Sequence, residues 1–266
     1  MKISMRHKLV FVGMMSLLAA CNGSSTAVSS SPAQPDKGER KTAVFTVNLY
    51  GISFDGMPID LAGVKQLDLC SLSRCHPVQL HRANKKPVTN DAAGGAMLIG
   101  SVQLPSLDVT RVRLTAQGNI GVNATEATLA QPLKLDGDAS VPARVLVSLS
   151  ANWSCGKSGC LVLRGGAAGL REDGPGQYLA YNPNNQLSVK MPEAVGLVIP
   201  AGALPGVQLF RVNVMASTPQ ARVDIQPSLK LEAPAILSVP PGPGQLAQRQ
   251  LITSTGDAVS GTVLPN

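Results

Sequence analysis

Hydrophobic and polar residues alternate one by one through much of the chain after residue 42. The period of two holds at 45–50, 111–116, 144–151 and 210–214. Successive side chains of a β-strand point to opposite faces, so this period is typical of strands with one buried face. No long segment shows the period of an amphipathic helix. The pattern therefore predicts an all-β protein of half-buried antiparallel strands that pack as a sandwich.

Turn-forming residues separate the predicted strands, and one such stretch is long enough to divide the chain. The segment at 165–177, GGAAGLREDGPGQ, is rich in glycine and also contains charge and a proline. It predicts a linker between a first module at 43–164 and a second module at 178–266. A single sandwich with a long excursion is the alternative. The expected fold class is thus one or two antiparallel β-sandwich modules.

Residues 1–20 follow another pattern. Lys2, Arg6 and Lys8 precede an apolar run at 9–18, and small residues close the run. A charged start, a short apolar centre and a small-residue end are typical of a cleaved secretory signal, and the run is too short for a membrane span. The next residues, 21–42, are rich in Ser, Pro, Gly and charge, so they predict a flexible tether of roughly 25 Å root-mean-square length.

The signal ends in Leu18-Ala19-Ala20-Cys21, which resembles the lipobox of bacterial lipoproteins. The resemblance implies that diacylglycerol is attached to the Cys21 thiol, that the chain is cut just before it, and that acyl chains such as palmitate hold the protein on an envelope membrane. Asn22 stands where an aspartate commonly retains such proteins in the inner membrane, so the outer membrane is the expected location, facing the periplasm or the surface. An ordinary cleaved signal with an accidental cysteine is the alternative.

Charge and aromatic content narrow the range of partners. Removing Lys2, Arg6 and Lys8 from the 23 basic residues leaves 20 against 16 acidic ones, a small excess that gives no reason to expect a nucleic-acid partner. Aromatic residues make up only 3% of the chain, fewer than sites that stack on glycans or single strands usually need. No motif in the sequence calls for a cofactor.

Four cysteines follow Cys21 in two equally spaced pairs, Cys70 with Cys75 and Cys155 with Cys160. Four cysteines allow three connectivities, and an exported protein meets an oxidising compartment in which disulfides form. In a β-hairpin with a loop of about four residues, the residues that flank the loop face each other within disulfide reach. We therefore expect two local disulfides, each of which pins a hairpin.

A metal site is the alternative for the first pair. Cys70, Cys75, His76 and His81 lie within twelve residues, and all are possible zinc or copper ligands. Neighbouring strand residues point to opposite faces, so Cys75 and His76 cannot easily share one ion. A disulfide with two surface histidines is the expected arrangement.

Two further groups are candidate binding patches. The first is basic and could meet anionic headgroups, lipopolysaccharide phosphates or an acidic partner, although a solvated loop is its expected role. The second is aromatic and lies near the second cysteine pair, where buried packing is the expected role of the tryptophan. The basic cluster consists of Arg74, His76, His81, Arg82, Lys85 and Lys86, and the aromatic group of Trp153, Tyr178 and Tyr181.

One part of the second module resembles a known family. VIPAGALP at 198–205 precedes a predicted strand, and QPSLKLEAPAIL follows at 226–237. This arrangement is similar to the zona-occludens/netrin-receptor (ZU-type) β-sandwich, whose pattern contains a proline-initiated turn with glycine at the position of Gly202. The resemblance implies a non-catalytic interaction or spacer module at the C-terminal end.

These features predict a lipid-anchored envelope protein that is not an enzyme and that binds or scaffolds an envelope protein partner. The sequence contains no nucleophile elbow, paired-carboxylate motif or metalloprotease helix motif. A metal-assisted enzyme that uses His76 and His81 is one alternative function. A glycan- or lipopolysaccharide-binding lipoprotein is the other.

Overall fold

The chain from Ala43 onwards is built from β-strands. This computed structural model describes residues 43–56, 60–81, 96–118, 121–155, 159–215, 222–239, 248–255 and 258–264. The predicted signal, Cys21 and the tether lie outside the described residues. Within them every regular element is a strand or a short 3₁₀ turn, which confirms the all-β expectation. None of the helical turns in that part of the chain has the length and apolar character needed to cross a membrane.

The described strands form one large sheet and two small ones. The large sheet holds β1 to β9, one small sheet holds β10, β13 and β14, and the other holds β11, β12 and β15 to β17. The strands are β1 (Val44–Ser53), β2 (Val64–Cys70), β3 (Cys75–Pro77), β4 (Gln79–Leu80), β5 (Met97–Pro105), β6 (Leu107–Gly118), β7 (Gly121–Leu135), β8 (Ala143–Asn152), β9 (Cys160–Arg171), β10 (Gln177–Tyr181), β11 (Leu187–Lys190), β12 (Gly196–Ile199), β13 (Gln208–Met215), β14 (Arg222–Gln226), β15 (Ala235–Val239), β16 (Gln248–Thr255) and β17 (Ala258–Leu264).

The large sheet is nearly closed on itself. Its strand order is β3-β2-β6-β7-β9-β8-β1-β5-β4, and a single residue, Val78, separates the two edge strands β3 and β4. The Val78 amide donates to the carbonyl of Leu67 in β2 over 2.8 Å, whereas Gln79 and Leu80 pair with β5. The segment 75–80 therefore joins both edges, and closure removes the unpaired backbone groups that a free edge would present.

Two pairs of adjacent strands in this sheet run parallel, so the prediction of antiparallel strands was wrong for these two pairs. β1 runs parallel to β8 from Val47 to Ser53, and β7 meets β9 in parallel at Leu129. Alternation of apolar and polar residues reports which face a side chain occupies, but it carries no information on strand direction. β1 and β8 are distant in sequence, and β8 lies between β7 and β9 along the chain. Both parallel pairs therefore have the long connections that parallel strands need.

The interior of the large sheet is the main hydrophobic core. Phe45, Val47 and Leu49 of β1 are buried in it. The inward-facing sets predicted at 112–116 and 145–149 are buried as well, which confirms the period of two for these strands. Each fully buried Val, Leu or Phe side chain contributes about 1.5–3 kcal/mol.

β8 is buried on both faces, contrary to the prediction of a half-buried strand. Leu146, Ser148 and Ser150 belong to the face that was expected to meet solvent, yet all three are buried. The reason is that Leu146 packs with Ile52 of β1 and Leu209 of β13 in a second hydrophobic cluster. The small sheet of β10, β13 and β14 therefore covers the outer face of β1 and β8.

The two small sheets are antiparallel throughout and share a third hydrophobic cluster. The sheet with β10 and β13 contributes Leu179 and Phe210 to this core. The other small sheet contributes Leu197 of β12 and Leu237 of β15. Their apolar faces thus meet each other, while the β10–β13 sheet packs on the large sheet with its opposite face.

The linker expected at 165–177 needs a correction, because residues 165–171 form the second half of β9, in which 167–171 pair with β8. β9 bulges at this point, since Arg164, Gly165 and Gly166 stand opposite the single residue Ser148. Gly165 and Gly166 have φ values of 82° and 95°, which glycine adopts far more easily than other residues. The glycines that suggested a linker serve a β-bulge instead.

The bulge in β9 holds the large sheet against its neighbour. The Gly165 carbonyl accepts a hydrogen bond from the amide of Val207 over 3.0 Å. The ring of Phe54 lies against the same glycine, where a Cβ atom would come within 2.8 Å of ring atom Cε2. Close by, Asn182 donates from Nδ2 to the carbonyl of Ser53 over 2.7 Å. Backbone and side-chain contacts together hold the large sheet and the β10–β13 sheet in a fixed relative position.

Substituting the two bulge glycines separately tests this junction. Gly166→Ala should cost about 1 kcal/mol, because it adds a Cβ at positive φ with nothing within 4 Å. Gly165→Ala should cost about 2–4 kcal/mol, because the added methyl also collides with the Phe54 ring. Equilibrium urea unfolding measures both values, and equal losses for the two variants would contradict the packing described.

Candidate interaction surfaces at the two ends of the closed sheet

The strands of the closed sheet run between two ends. The lower end contains the start of β1 at Val44, the turn 71–74 that follows β2, and the turn 136–140 that follows β7. The upper end contains the end of β1 at Ser53 and the end of β8 at Asn152. β8 runs from the lower to the upper end and is roughly 30 Å long at about 3.3 Å per residue. Because the strands of a closed sheet tilt by about 35–45° to its axis, the two ends lie roughly 20–25 Å apart.

The first disulfide closes a rigid hairpin at the lower end. Cys70 and Cys75 are direct cross-strand partners with their Cα atoms 4.0 Å apart, which confirms the predicted local pairing. Inside the loop, the Ser71 amide donates to the Arg74 carbonyl over 2.8 Å, and Ser71 Oγ accepts the Arg74 amide over 3.1 Å. Leu72 lies at the tip of this turn and is 88% exposed.

The turn 136–140 at the same end is fixed by side-chain hydrogen bonds. The Asp138 carboxylate accepts bonds from Ser140 Oγ over 2.7 Å and from the Ser140 amide over 2.9 Å. These two bonds lower the pKa of the exposed Asp138 carboxyl. Arg171 donates to the carbonyls of Asp136 and Asp138 over 2.8 and 2.6 Å. The lower end therefore presents two well-ordered turns.

The second disulfide lies at the upper end and joins Cys155 to Cys160, with Cα atoms 5.6 Å apart. The local pairing is again confirmed, but the expected hairpin geometry is not. Asn152, and not Cys155, is the cross-strand partner of Cys160, because the chain makes a 3₁₀ turn before the loop. The Asn123 amide approaches both sulfur atoms, at 3.9 Å from Cys155 and 3.7 Å from Cys160.

Trp153 is exposed, which corrects the expectation that it is buried. It begins the 3₁₀ turn at the upper end, and 65% of its surface is open to solvent. One edge of the ring is held against Gly159, where a Cβ atom would lie 3.2 Å from Cε3. Val122, which starts the neighbouring strand β7, is also exposed. The upper end thus presents a tryptophan beside a disulfide.

The two tyrosines of the predicted aromatic group lie elsewhere. Tyr181 is fully buried in the core of the small sheets. Its hydroxyl donates to the Pro200 carbonyl over 2.7 Å and accepts the Ala203 amide over 3.0 Å, so it braces the turn of the VIPAGALP segment. Gly202 in this turn has a φ of 73°. Tyr181 therefore has a structural role and is not part of a surface patch.

Tyr178 is half-buried in a cluster that sequence analysis missed. The Arg144 guanidinium lies 4.9 Å from the ring centre of Tyr50 and 4.8 Å from that of Tyr178. It also forms an ion pair with Glu172. Tyr50, Arg144 and the segment that holds Glu172 and Tyr178 are distant from one another in the sequence, so no local pattern signals this cluster. Stacking of the arginine between two rings binds the large sheet to β10.

The described part of the first basic cluster holds no metal-type arrangement. Cys70 and Cys75 share a disulfide, so neither supplies a thiolate ligand. His81 Nε2 lies 3.3 Å from Ser101 Oγ, and His76 is half-buried in β3. In the part of the chain described, no three His, Cys, Asp or Glu side chains gather around a common point. Of the same cluster, Arg82, Lys85 and Lys86 lie outside the described residues.

Charges on the outer face of β2, β6 and β7 neutralise one another. Asp68 is buried, and Arg113 donates to its Oδ2 from Nε and Nη2 over 3.1 and 3.0 Å. Gln66 donates to the other carboxylate oxygen over 2.7 Å. The neighbouring pair of Arg111 and Glu126 is looser, at 3.5 Å, and the two side chains are 41% and 47% exposed. This face is a structural ion-pair surface.

The two arginines of β6 form a matched pair for mutation. Arg113→Ala should lower the free energy of unfolding by about 2–3 kcal/mol, because it leaves the buried Asp68 carboxylate without its cation. Arg111→Ala should cost less than about 1 kcal/mol, since exposed ion pairs contribute little. Both variants lose one positive charge, so a net-charge effect would appear equally in both. Similar losses in urea unfolding would refute the distinction.

A cleft of about 210 Å³ lies where β7 and β9 meet the small sheets. Lys230 is the one ionisable side chain among the described residues that line it. The volume is below the roughly 300–1,000 Å³ of typical small-molecule pockets, and the lining offers no acid–base pair. The cleft is therefore a groove between packed sheets, without the features of a catalytic site.

No family model, curated protein or solved structure matches this chain. The resemblances at 18–21 and 198–237 stay predictions. The candidate surfaces are accordingly defined by geometry alone: exposed Trp153 at the upper end and exposed Leu72 at the lower end, each beside a disulfide.

Proposed function

We propose that this protein is a lipid-anchored, non-catalytic subunit of the cell envelope, and that its upper end binds an envelope protein partner. The signal and the lipobox-like residues ending at Cys21 support export and anchoring, with the outer membrane as the expected location. The two disulfides are consistent with an oxidising compartment. Binding in this proposal requires neither a cofactor nor a nucleic acid.

One observation carries the choice of surface. Trp153 is exposed at the upper end, whereas the chain leads from Cys21 into β1 at the lower end. Tryptophan is the side chain most enriched at energetic hot spots of protein interfaces. One edge of the Trp153 ring already lies against Gly159, so the side chain loses less conformational entropy on binding than a fully free one would. A surface remote from the anchor is also the more accessible to a partner.

The fold supports a scaffold role. We propose that the two small sheets form a β-sandwich of the ZU type, in which the shared core, the φ of Gly202 and the buried Ala203 and Leu204 support the resemblance. The junction at Gly165 and the stacking of Arg144 bind this module to the closed sheet. A rigid pair of modules suits a spacer that presents one end. The metal-assisted and glycan-binding alternatives stay predictions.

Site-specific photo-crosslinking in intact cells tests the proposal. A benzophenone amino acid at position 122, which is also exposed at the upper end, should give a recurrent adduct with one envelope protein. The same amino acid at position 72, which is exposed at the opposite end, should not give that adduct. Trp153→Ala should weaken co-purification of the partner about 30-fold, as loss of an interface hot spot does. Identical adducts from both positions, or unchanged co-purification, would rule out the upper end as the binding surface.

A further inference from the structure

The tip of the first disulfide hairpin combines exposure with rigidity. Leu72 is 88% exposed, the largest exposed fraction among the described large apolar side chains. The disulfide between Cys70 and Cys75 and the hydrogen bonds between Ser71 and Arg74 fix the backbone around it. An ordered loop that presents a leucine to solvent has already lost its backbone entropy, so burying the leucine gains free energy at little further cost.

This tip lies at the lower end of the closed sheet, close to the level at which the chain enters it. Gln79 of β4 pairs with Ser101 of β5, and Val44 of β1 pairs with Pro105. Cys75 precedes Gln79 by four residues, and Pro105 follows Ser101 by four residues in the antiparallel strand β5. Cys75 therefore lies at about the level of Pro105. The turn 71–74 therefore lies at or beyond the level of Val44, which is itself 52% exposed.

The chain outside the described residues identifies the occupant of this surface. In the proposed anchoring Cys21 carries the lipid, and residues 22–42 connect it to Ala43 at this end, a stretch that can span at most about 75 Å. A lipid surface held at that distance is at high effective concentration, so even one inserted leucine shifts the balance towards contact. Arg74 beside the tip is exposed and suits the phosphates at the headgroup level.

We propose that the lower end docks on the lipid surface that carries the anchor, with Leu72 inserted between headgroups and acyl chains. The inference rests on the proposed anchoring through Cys21. Docking would orient β1 away from the membrane and place the upper end, with Trp153, roughly 20–25 Å above it. Docking would therefore hold the upper end away from the membrane, where the proposed binding function requires it.

Charge at the lower end indicates that docking is driven by apolar insertion. Arg74 and Lys134 are exposed at this end, but so are Asp108, Asp136 and Asp138. These described residues carry no excess of positive charge, so attraction to anionic lipid does not drive the docking. Docking should occur on zwitterionic phosphatidylcholine and change little when phosphatidylglycerol or salt is added.

The single tryptophan of the chain makes the test direct. Full-length acylated protein is reconstituted into phosphatidylcholine vesicles whose acyl chains carry bromine, which quenches tryptophan fluorescence on contact. Native protein reports from Trp153 at the upper end. The double variant Leu72→Trp with Trp153→Phe reports from the hairpin tip, and Val122→Trp with Trp153→Phe is the control at the upper end. Flotation of the vesicles is scored in parallel, and circular dichroism checks that each variant is folded.

The expected result is severalfold stronger quenching for the tryptophan at position 72 than for those at 153 and 122, with all proteins floating. No quenching at 72 in protein that floats would overturn docking and leave the anchor intact. Equal quenching at all three positions would overturn the proposed orientation. Failure to float would refute the anchor itself, and the docking inference with it.

Discussion

The structure depends on the closure of its large sheet by the segment 75–80. This short segment bonds to β2 through Val78 and pairs with β5 through Gln79 and Leu80, so it serves both edges at once. Closure seals the main core and leaves the sheet with two ends in place of two edges. The disulfide between Cys70 and Cys75 fixes the point at which the segment leaves β2. Both proposed surfaces lie at the ends of this sheet, where the turns 71–74 and 153–155 connect or follow its strands.

The second constraint is the junction between the closed sheet and the small sheets. Gly165 accepts the Val207 amide, and the Phe54 ring covers the same glycine. Further along β8, Arg144 lies between two tyrosine rings, and Leu146 packs against β13. Polar and apolar contacts thus alternate along one face of β1 and β8. In the account proposed, this junction makes the molecule a rigid spacer, with a lipid-facing end and a partner-facing end.

The sequence predicts the strands well and their assembly less well. The inward faces at 45–49, 112–116 and 145–149 were predictable because the period of two is a local property. The second buried face of β8 was not, since Leu146 and Ser148 are covered by residues distant in sequence. The glycines at 165 and 166 predicted a linker because a bulge and a flexible segment need the same residue type.

The candidate site shows the same limit. Both disulfides were predictable from the equal spacing of the two cysteine pairs, and both form. The exposure of Trp153 did not follow, because its place depends on a 3₁₀ turn that begins just before Cys155. Tyr181 has an ordinary sequence context, and its buried role becomes evident only from its bonds to the turn at 200–203.

Native-state hydrogen exchange at the Val78 amide tests the closure most directly. Closure should protect this amide about as well as that of Leu49 in central strand β1, whereas exchange as fast as that of Ser73 in the exposed turn would contradict a closed sheet.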